Sequence, residues 1–345
     1  MSVQRSWRSD MNILRKGAML SRWMEIAARA GFACLGALAF SAAAQYPLKP
    51  VKLMSPFPPG GGTDIVARQT AQSLSGRLGQ PVVIEAQAGA GGLIATQTVA
   101  RAVPDGYTIL FGVPSTITIA ENFTKNPDYN PARDLAPIAT VASYFTLFLV
   151  NPKVNANTLG EFIALAKANP KKFFYGTSGN GHAFHMLTEL VSRQAGIEMV
   201  AVPYKGNGPA QTGMLAGDVQ VMVAASGAVR SHVQGGRMRA LATLQSTRLD
   251  SFPDVPTLAE AGLANLNIVN WFAVFTPIKT PREIQGRLEQ ELLGMQKDPG
   301  FTEKVIALDF GPVGLGAKEF AALLEGERKR WRDIIQAAGI KAELE

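Results

Sequence analysis

Apolar and polar positions follow two rhythms along this chain. Short runs rich in Val, Ile, Phe and Tyr occur at 51–57, 81–85, 107–113, 145–150, 173–175, 199–203, 219–225, 239–244 and 271–275. Bounded by Gly, Pro and Asn, they read as strands. Between them lie stretches with helical spacing, such as 64–78, where Ile65, Val66, Leu74 and Leu78 gather on one side. This alternation implies an α/β fold with largely parallel sheets. Three helix starts are marked by Thr three residues before Glu, the spacing of a capping box: Thr158 with Glu161, Thr257 with Glu260, and Thr280 with Glu283. The last has Pro281 at the first helical position, and Asn169-Pro170 closes the helix that Thr158 opens. The 345 residues suffice for about two domains. No repeat or flexible linker separates them, so strands or short crossings must join them, as in a hinged clamshell.

Composition changes the picture mainly at the amino terminus. Arg22 and Arg29 lead into an apolar stretch at 30–40, and Ala42-Ala43-Ala44 offers a small-residue cleavage site. Residues 1–44 thus read as a secretory signal peptide, too short and wrongly flanked for a spanning helix. Export to the periplasm follows. Cys34, the one cysteine, lies inside this segment, so the mature chain is expected to have no disulfide, thiolate nucleophile or Cys-based zinc site. The formal charge of +7 carries a surplus of four within 1–44 and of three over the remainder, with no Lys/Arg block. That argues against nucleic acid as a partner.

Three glycine-rich segments each follow a strand and open a helix: Pro58-Pro59-Gly60-Gly61-Gly62-Thr63-Asp64, Gly89-Ala90-Gly91-Gly92 and Gly176-Thr177-Ser178-Gly179-Asn180-Gly181. Glycine lets the backbone approach a ligand, and a helix N-terminus adds unpaired donors with the positive end of the dipole. Two such ends from opposite sides could hold a small anion without any Arg. Asp64 reads either as a first-turn carboxylate favoured by the dipole or as a residue shaping the ligand loop. Nucleotide readings fail: no Gly-Lys-Ser/Thr follows the first loop, and no well-placed G-x-G-x-x-G precedes an acidic residue. Hydrolase and metal readings fail as well. Ser178 lacks the glycine a nucleophile elbow needs at position 180, and His182 and His185 have no Glu or Cys to complete a metal set. Those histidines read as capping or pocket-lining groups, and His232 as a surface residue. No catalytic residue, metal or cofactor is expected.

These residues resemble a known family, the Bug-type receptors, which are periplasmic solute-binding subunits of tripartite tricarboxylate transporters. The likeness rests on Tyr46-Pro47-Leu48-Lys49-Pro50-Val51, the loop from Phe57 to Asp64, Gly79-Gln80-Pro81, Gly89-Ala90-Gly91-Gly92 and Pro104-Asp105-Gly106-Tyr107-Thr108. It continues through the loop from Tyr175 to Gly181 with His185, Val202-Pro203-Tyr204-Lys205-Gly206, Asp254-Val255-Pro256-Thr257 and Trp271-Phe272. The resemblance implies a two-lobed type II periplasmic-binding-protein fold with two hinge crossings. Lobe one would be 45–144 and 268–345, and lobe two 145–267. It further implies a small organic carboxylate held between the lobes, delivery to membrane transporter subunits, and a monomer; a ligand-sensing subunit of a signalling system is the alternative. The implied ligand-binding residues are Phe57, Gly60, Gly61, Gly62, Thr63, Asp64, Gly91, Gly92, Thr177, Ser178, Gly179, Asn180 and His185, with Ser115 and Thr116 as additions after the strand at 107–113. Two departures stand out. Ala224 and Ala225 replace an acidic residue and an amide often found there, and Leu93 replaces an Asn. Both suggest a less polar cleft, suited to a carboxylate with an apolar or aromatic body.

Overall fold

The structure is a computed structural model that describes residues 46–122, 129–179, 181–264, 266 and 270–338. The expected signal peptide at 1–44 lies outside the described residues. Within Lys49–Glu345 two sheets form. The first contains β1 (Val51–Ser55), β2 (Val82–Ala86), β3 (Thr108–Gly112), β4 (Leu135–Tyr144), β10 (Trp271–Pro277) and β11 (Phe310–Pro312), in the order β11-β4-β10-β3-β1-β2. The second contains β5 (Thr146–Val150), β6 (Phe174–Thr177), β7 (Val200–Pro203), β8 (Val221–Ala225) and β9 (Arg239–Thr243), in the order β7-β6-β8-β5-β9. Each sheet has its own core. Leu147, Leu149, Met214, Met222 and Val229 pack together in one, and Met54, Leu110, Trp271, Phe275, Phe320 and Leu324 in the other. This is the two-lobed α/β fold.

The sheets are mixed, which corrects the expectation of largely parallel pairing. β1 pairs parallel with β2 and β3, and β6 with β7 and β8. β10 runs antiparallel to β3 and β4, β11 to β4, and β5 to β8 and β9. Hydrophobic periodicity carries no information about strand direction, and the antiparallel pairs involve the strands through which the chain changes sheet. β4 leaves the first sheet at Tyr144 and β5 enters the second at Thr146, so Phe145 alone makes one crossing. The return lies between Thr257, bridged to Thr243, and Trp271. Near these crossings Tyr144 N–H donates to Asn270 O at 3.3 Å and Ser226 N–H to Phe145 O at 2.9 Å.

Ten helices flank the sheets among the described residues: α1 (Gly62–Leu78), α2 (Leu93–Ala100), α3 (Pro131–Asp134), α4 (Leu159–Ala168), α5 (Ala183–Ala195), α6 (Asn207–Ala216), α7 (Ser226–Gln234), α8 (Arg282–Met295), α9 (Pro299–Ala307) and α10 (Ala317–Ala338). The three expected capping boxes fare differently. At α4 half the box forms: Glu161 N–H donates to Thr158 Oγ1 at 3.1 Å, but the Glu161 carboxylate takes the N–H of Asn157, one residue before the N-cap, at 2.7 Å. Thr257 and Glu260 form the complete reciprocal pair, Glu260 N–H donating to Thr257 Oγ1 at 3.1 Å and Thr257 N–H to Glu260 Oε2 at 2.8 Å, yet only turns follow, ended by Gly262 at φ 87°. At α8 the hydroxyl of Thr280 has no partner; Pro281, expected at the first helical position, is itself the N-cap at ψ 139°, and the helix begins at Arg282 without a side-chain cap.

Lobe one is anchored by Trp271, which meets Phe320 of α10 edge-on with centroids 5.0 Å apart. Its indole N–H donates to Glu327 Oε2 at 2.8 Å, and the Thr118 hydroxyl reaches the same oxygen at 3.4 Å. Burial pushes the Glu327 carboxyl up to about 7, against the pull of Trp271, Arg330 and Thr118. Between the ordinary value of 4.5 and about 7 the folded chain holds a proton that the unfolded chain has lost, so this group's contribution to stability falls as pH rises through that window. Glu327→Gln keeps an acceptor for Trp271 and is expected to remove that slope. The variant should match the parent near pH 4.5 and exceed it at about pH 8 by on the order of 3 kcal/mol. Urea unfolding at the two pH values checks this; an unchanged difference between them would contradict it.

Candidate ligand-binding site

The loop after β1 turns through Gly60, at φ 98°, into α1. Asp64 holds this loop: its Oδ2 accepts Gly60 N–H at 3.2 Å and Arg68 Nε–H at 3.0 Å, so its charge is spent locally. The second glycine segment runs Gly89, Ala90, Gly91 and Gly92 entirely at positive φ. A Cβ at Gly92 would lie 2.7 Å from Thr116 Cγ2 and 2.9 Å from Pro56 Cβ, which admits only glycine. In the third loop the Thr177 hydroxyl donates to Gly179 O and accepts Gly179 N–H, both at 3.1 Å. His185 Nδ1 accepts Gly181 N–H at 3.1 Å, and His182 Nδ1 caps α5 by accepting Phe184 N–H at 3.2 Å.

The first and third of these loops meet at a small cavity of ≈ 20 Å³ between the two sheets. The first lobe contributes Phe57, Gly61, Gly62, Thr63, Val113, Tyr144 and Phe272 to its wall. The second contributes Ser178, His182, Phe184, Asn207 and Ala225. Three helices start here without a side-chain cap: α1 after Gly61, α6 after Gly206 and α7 after Ala225. Such ends leave donors in need of an acceptor and carry the positive pole of the helix. Two side chains add to that need. Ser178 is 3% exposed and Asn207 8%, yet Ser178 Oγ and both amide atoms of Asn207 have no hydrogen-bond partner. Each such group costs about 1–3 kcal/mol until a ligand or water meets it. Among the described residues the wall carries no Lys or Arg. Burial, with a smaller contribution from His185, depresses His182 to about 3, so its ring is neutral in ordinary buffers. The arrangement suits a small anion bound by N–H dipoles rather than by a counter-charge.

Residues 66–340 match the family described as tripartite tricarboxylate transporter family receptor, TctC. The chain belongs to that family. TctC receptors are periplasmic solute-binding proteins and not enzymes. BugT of Bordetella pertussis is 34% identical over 297 residues, spanning 86% of this chain and 91% of that protein. An R. palustris protein solved with adipate is similar at a TM-score of 0.83 and 32% identity, covering 87% of this chain and all of that one. The periplasmic binding protein BugD is similar at a TM-score of 0.82 and 30% identity, with 86% of this chain and 99% of that one covered.

In this TctC receptor the residues expected at the site fall into three groups. Phe57, Gly61, Gly62, Thr63 and Ser178 line the cavity. Gly91, Gly92 and Gly179 line an outer chamber that shares Phe57 and Ser178 and also contains Tyr204 and Lys205. Asp64, Thr177 and His185 tie loops together, and Thr116 holds a local turn, its hydroxyl donating to Val113 O at 3.1 Å. Gly60 faces a shallow outer groove with Tyr204 and Gly208. Ser115 is buried with an unpartnered hydroxyl but is not part of the cavity wall. Asn180 lies outside the described residues. Of the departures read as making the cleft less polar, only Ala225 reaches the cavity. Ala224 packs in the core of lobe two, and Leu93 packs on Ala120 and Tyr129.

Asn207 was missed, although Tyr204-Lys205-Gly206 repeats the strand–glycine–helix pattern of the other loops and could have flagged it. Tyr144, Phe184 and Phe272 carried no such signal, because apolar strand and helix positions look the same whether they face a core or a cavity. His182, read only as a capping or lining group, does both.

Glycines also form the seam where the loops of the two lobes touch. A Cβ at Gly206 would lie 2.8 Å from Pro58 Cδ, one at Gly208 2.8 Å from Pro59 O, and one at Gly62 3.2 Å from Ala225 Cβ. Gly208 sits in α6 at ordinary helical φ, so a side chain there meets the opposing backbone without straining its own. Gly208→Val is therefore expected to hold the lobes apart, raising the radius of gyration in small-angle scattering. The unfolding midpoint should stay within a few degrees of the parent. An unchanged scattering profile would contradict the seam.

Proposed function

We propose that this protein captures a small organic carboxylate between its lobes, 45–144 with 268–345 on one side and 145–267 on the other, and delivers it to membrane subunits of a tripartite transporter. Export by cleavage of a signal peptide at 1–44 belongs to the same reading. The observation that carries it is the cavity wall: three uncapped helix starts and the unmet Ser178 and Asn207 side chains, with no cation. A carboxylate meets the donors among them, and Asn207 Oδ1, an acceptor, takes a donor from water or from elsewhere on the ligand. One oxygen accepts from the first turn of α1, and the Ser178 hydroxyl and Asn207 amide donate from the other lobe. Because the donors are divided between lobes, only the closed state completes the set, and ligand shifts the population toward it. Hydrogen bonds to a charged group are worth about 1.5–3 kcal/mol each. A few of them with apolar burial reach the roughly −8 kcal/mol of micromolar affinity. That the R. palustris relative was solved with adipate supports a carboxylate.

The purified protein, unfolded and refolded to remove any bound molecule, is expected to gain about 2.7 kcal/mol of stability from a carboxylate at 100 times its dissociation constant. A thermal-shift panel of mono-, di- and tricarboxylates reads this, and a panel in which only neutral or cationic solutes act would contradict the proposal. Asn207→Asp places a carboxylate among the helix starts, so it should abolish binding of added carboxylates and raise the melting temperature of the empty protein. Since His182 is neutral above pH about 3, affinity should stay flat between about pH 5 and 7. Tightening as pH falls through about 6.5 would assign the charge to a histidine instead.

A further inference from the structure

We propose that a groove beside the crossing at Phe145 is a second binding site, which takes a free α-amino acid with an apolar side chain. The inference is independent of the carboxylate reading, because the groove and the interlobe cavity share no wall residue. Tyr144 faces the cavity, and Phe145, the next residue, lines the groove. The groove has a volume of ≈ 550 Å³, within the range of small-molecule sites. Lobe two supplies Arg230 of α7 and the loop 247–251 after β9, and lobe one supplies Ile306 of α9 and residues 309–312.

Asp309 points to a ligand. It is 8% exposed, and its Oδ2 is buried without a hydrogen-bond partner. Among the described residues it forms no ion pair. A buried carboxylate in that state is unfavourable until a donor, best a cationic one, meets it. The hydroxyl of Ser251 in the same wall is also buried and unpartnered. Both atoms can accept a hydrogen bond, so together they suit an ammonium group, which has donors only.

Two guanidinium groups line the groove, and only one is spent. Arg248 Nε donates to Glu260 Oε1 at 3.1 Å and Oε2 at 3.0 Å, and its Nη1 to Pro253 O at 2.9 Å. Arg230 gives Nη1 to a neutral carbonyl, Ala307 O, at 3.1 Å and forms no ion pair among the described residues. One anion and one cation are thus left unneutralised in the half-buried part of the wall, and a molecule carrying both charges meets them together. A lone cation would face Arg230, and a lone anion would face Asp309. Asp250 is exposed to solvent and adds little after screening. The remaining wall includes Phe145, Leu249, Phe310 and Ile306, the last 57% exposed. That apolar surface suits an aliphatic or aromatic side chain.

Titration calorimetry on the purified protein compares L-leucine, L-phenylalanine, glycine and 3-methylbutylamine, which is leucine without its carboxylate. Leucine or phenylalanine is expected to bind at least tenfold tighter than glycine, and leucine about fivefold tighter than the amine if it is the preferred one. Asp309 lies at φ 63°, a conformation that Asn adopts readily, so Asp309→Asn tests the carboxylate without straining the turn. It should weaken the amino acid by about tenfold or more. Arg230→Gln, which keeps a donor for Ala307 O, should weaken it about fivefold and leave the amine unchanged. Asn207→Asp, in the cavity wall, should leave the amino acid's affinity as it is. Failure of both amino acids to bind at millimolar concentration overturns the proposal. Binding that Asn207→Asp abolishes and Asp309→Asn spares also overturns it, by placing the amino acid in the cleft. Equal binding of the amine and the amino acid overturns the two-charge assignment. None of these failures touches the carboxylate reading of the cleft.

Discussion

Unmet backbone donors at buried helix starts are the constraint on which the rest of this structure depends. A helix end without a side-chain cap ordinarily turns to water. Here α1, α6 and, beyond the Ser226 N–H that Phe145 O accepts, α7 turn instead to a space between two lobes, where water has little room and, among the described residues, no cationic side chain stands. The remaining features follow from keeping those ends bare. Asp64 would be the natural first-turn partner for α1, and it is drawn away to Gly60 and Arg68. Thr177 and His185 spend their polar atoms on their own loop. Glycine at positions 206 and 208 lets the opposing loops come within contact distance without covering the donors.

The fold serves this arrangement through its crossings. Phe145 alone separates a strand of one sheet from a strand of the other, and the return lies between Thr257 and Trp271. The site's donors sit where the loops of both sheets meet. Cohesion within each lobe comes from elsewhere. The Trp271–Phe320–Glu327 cluster is set in the core of lobe one, where it fixes β10 against α10. Phe272, the next residue, points its ring into the cavity wall. Packing on one face of β10 thus holds the ring that the other face presents.

Much of this was legible in the sequence, and the reasons for the rest are physical. The glycine loops were visible because only glycine tolerates positive φ and close approach, and that requirement is written in residue type. Nine strands were visible from their apolar runs. β4 was not: its ten residues, Leu135–Tyr144, are rich in Ala and include Pro137, which sits by a register shift opposite Phe275. Neighbours on both sides hold such a strand, not its own propensity. β11 has three residues and no pattern to read. At the site, sequence spacing found the loops but assigned several loop-holding side chains to the ligand. Whether Asp64 or His185 faces inward or back toward its own backbone depends on hydrogen-bond geometry that no spacing encodes. The apolar character of the cleft was anticipated from Ala224, Ala225 and Leu93, yet it comes mainly from aromatic rings that looked like ordinary core.

The most direct test of the central claim is to follow backbone amide protons by nuclear magnetic resonance while the carboxylate that gives the largest thermal shift is titrated into the isotopically labelled protein. Binding through bare helix starts should move the amide protons of Gly62, Thr63, Asn207 and Gly208 downfield as each gains a charged acceptor, with the Ser178 and Asn207 side chains responding in step. Saturation with those signals unmoved, and shifts confined to Lys205 and the outer chamber, would show that a solvated cation and not the helix ends holds the anion.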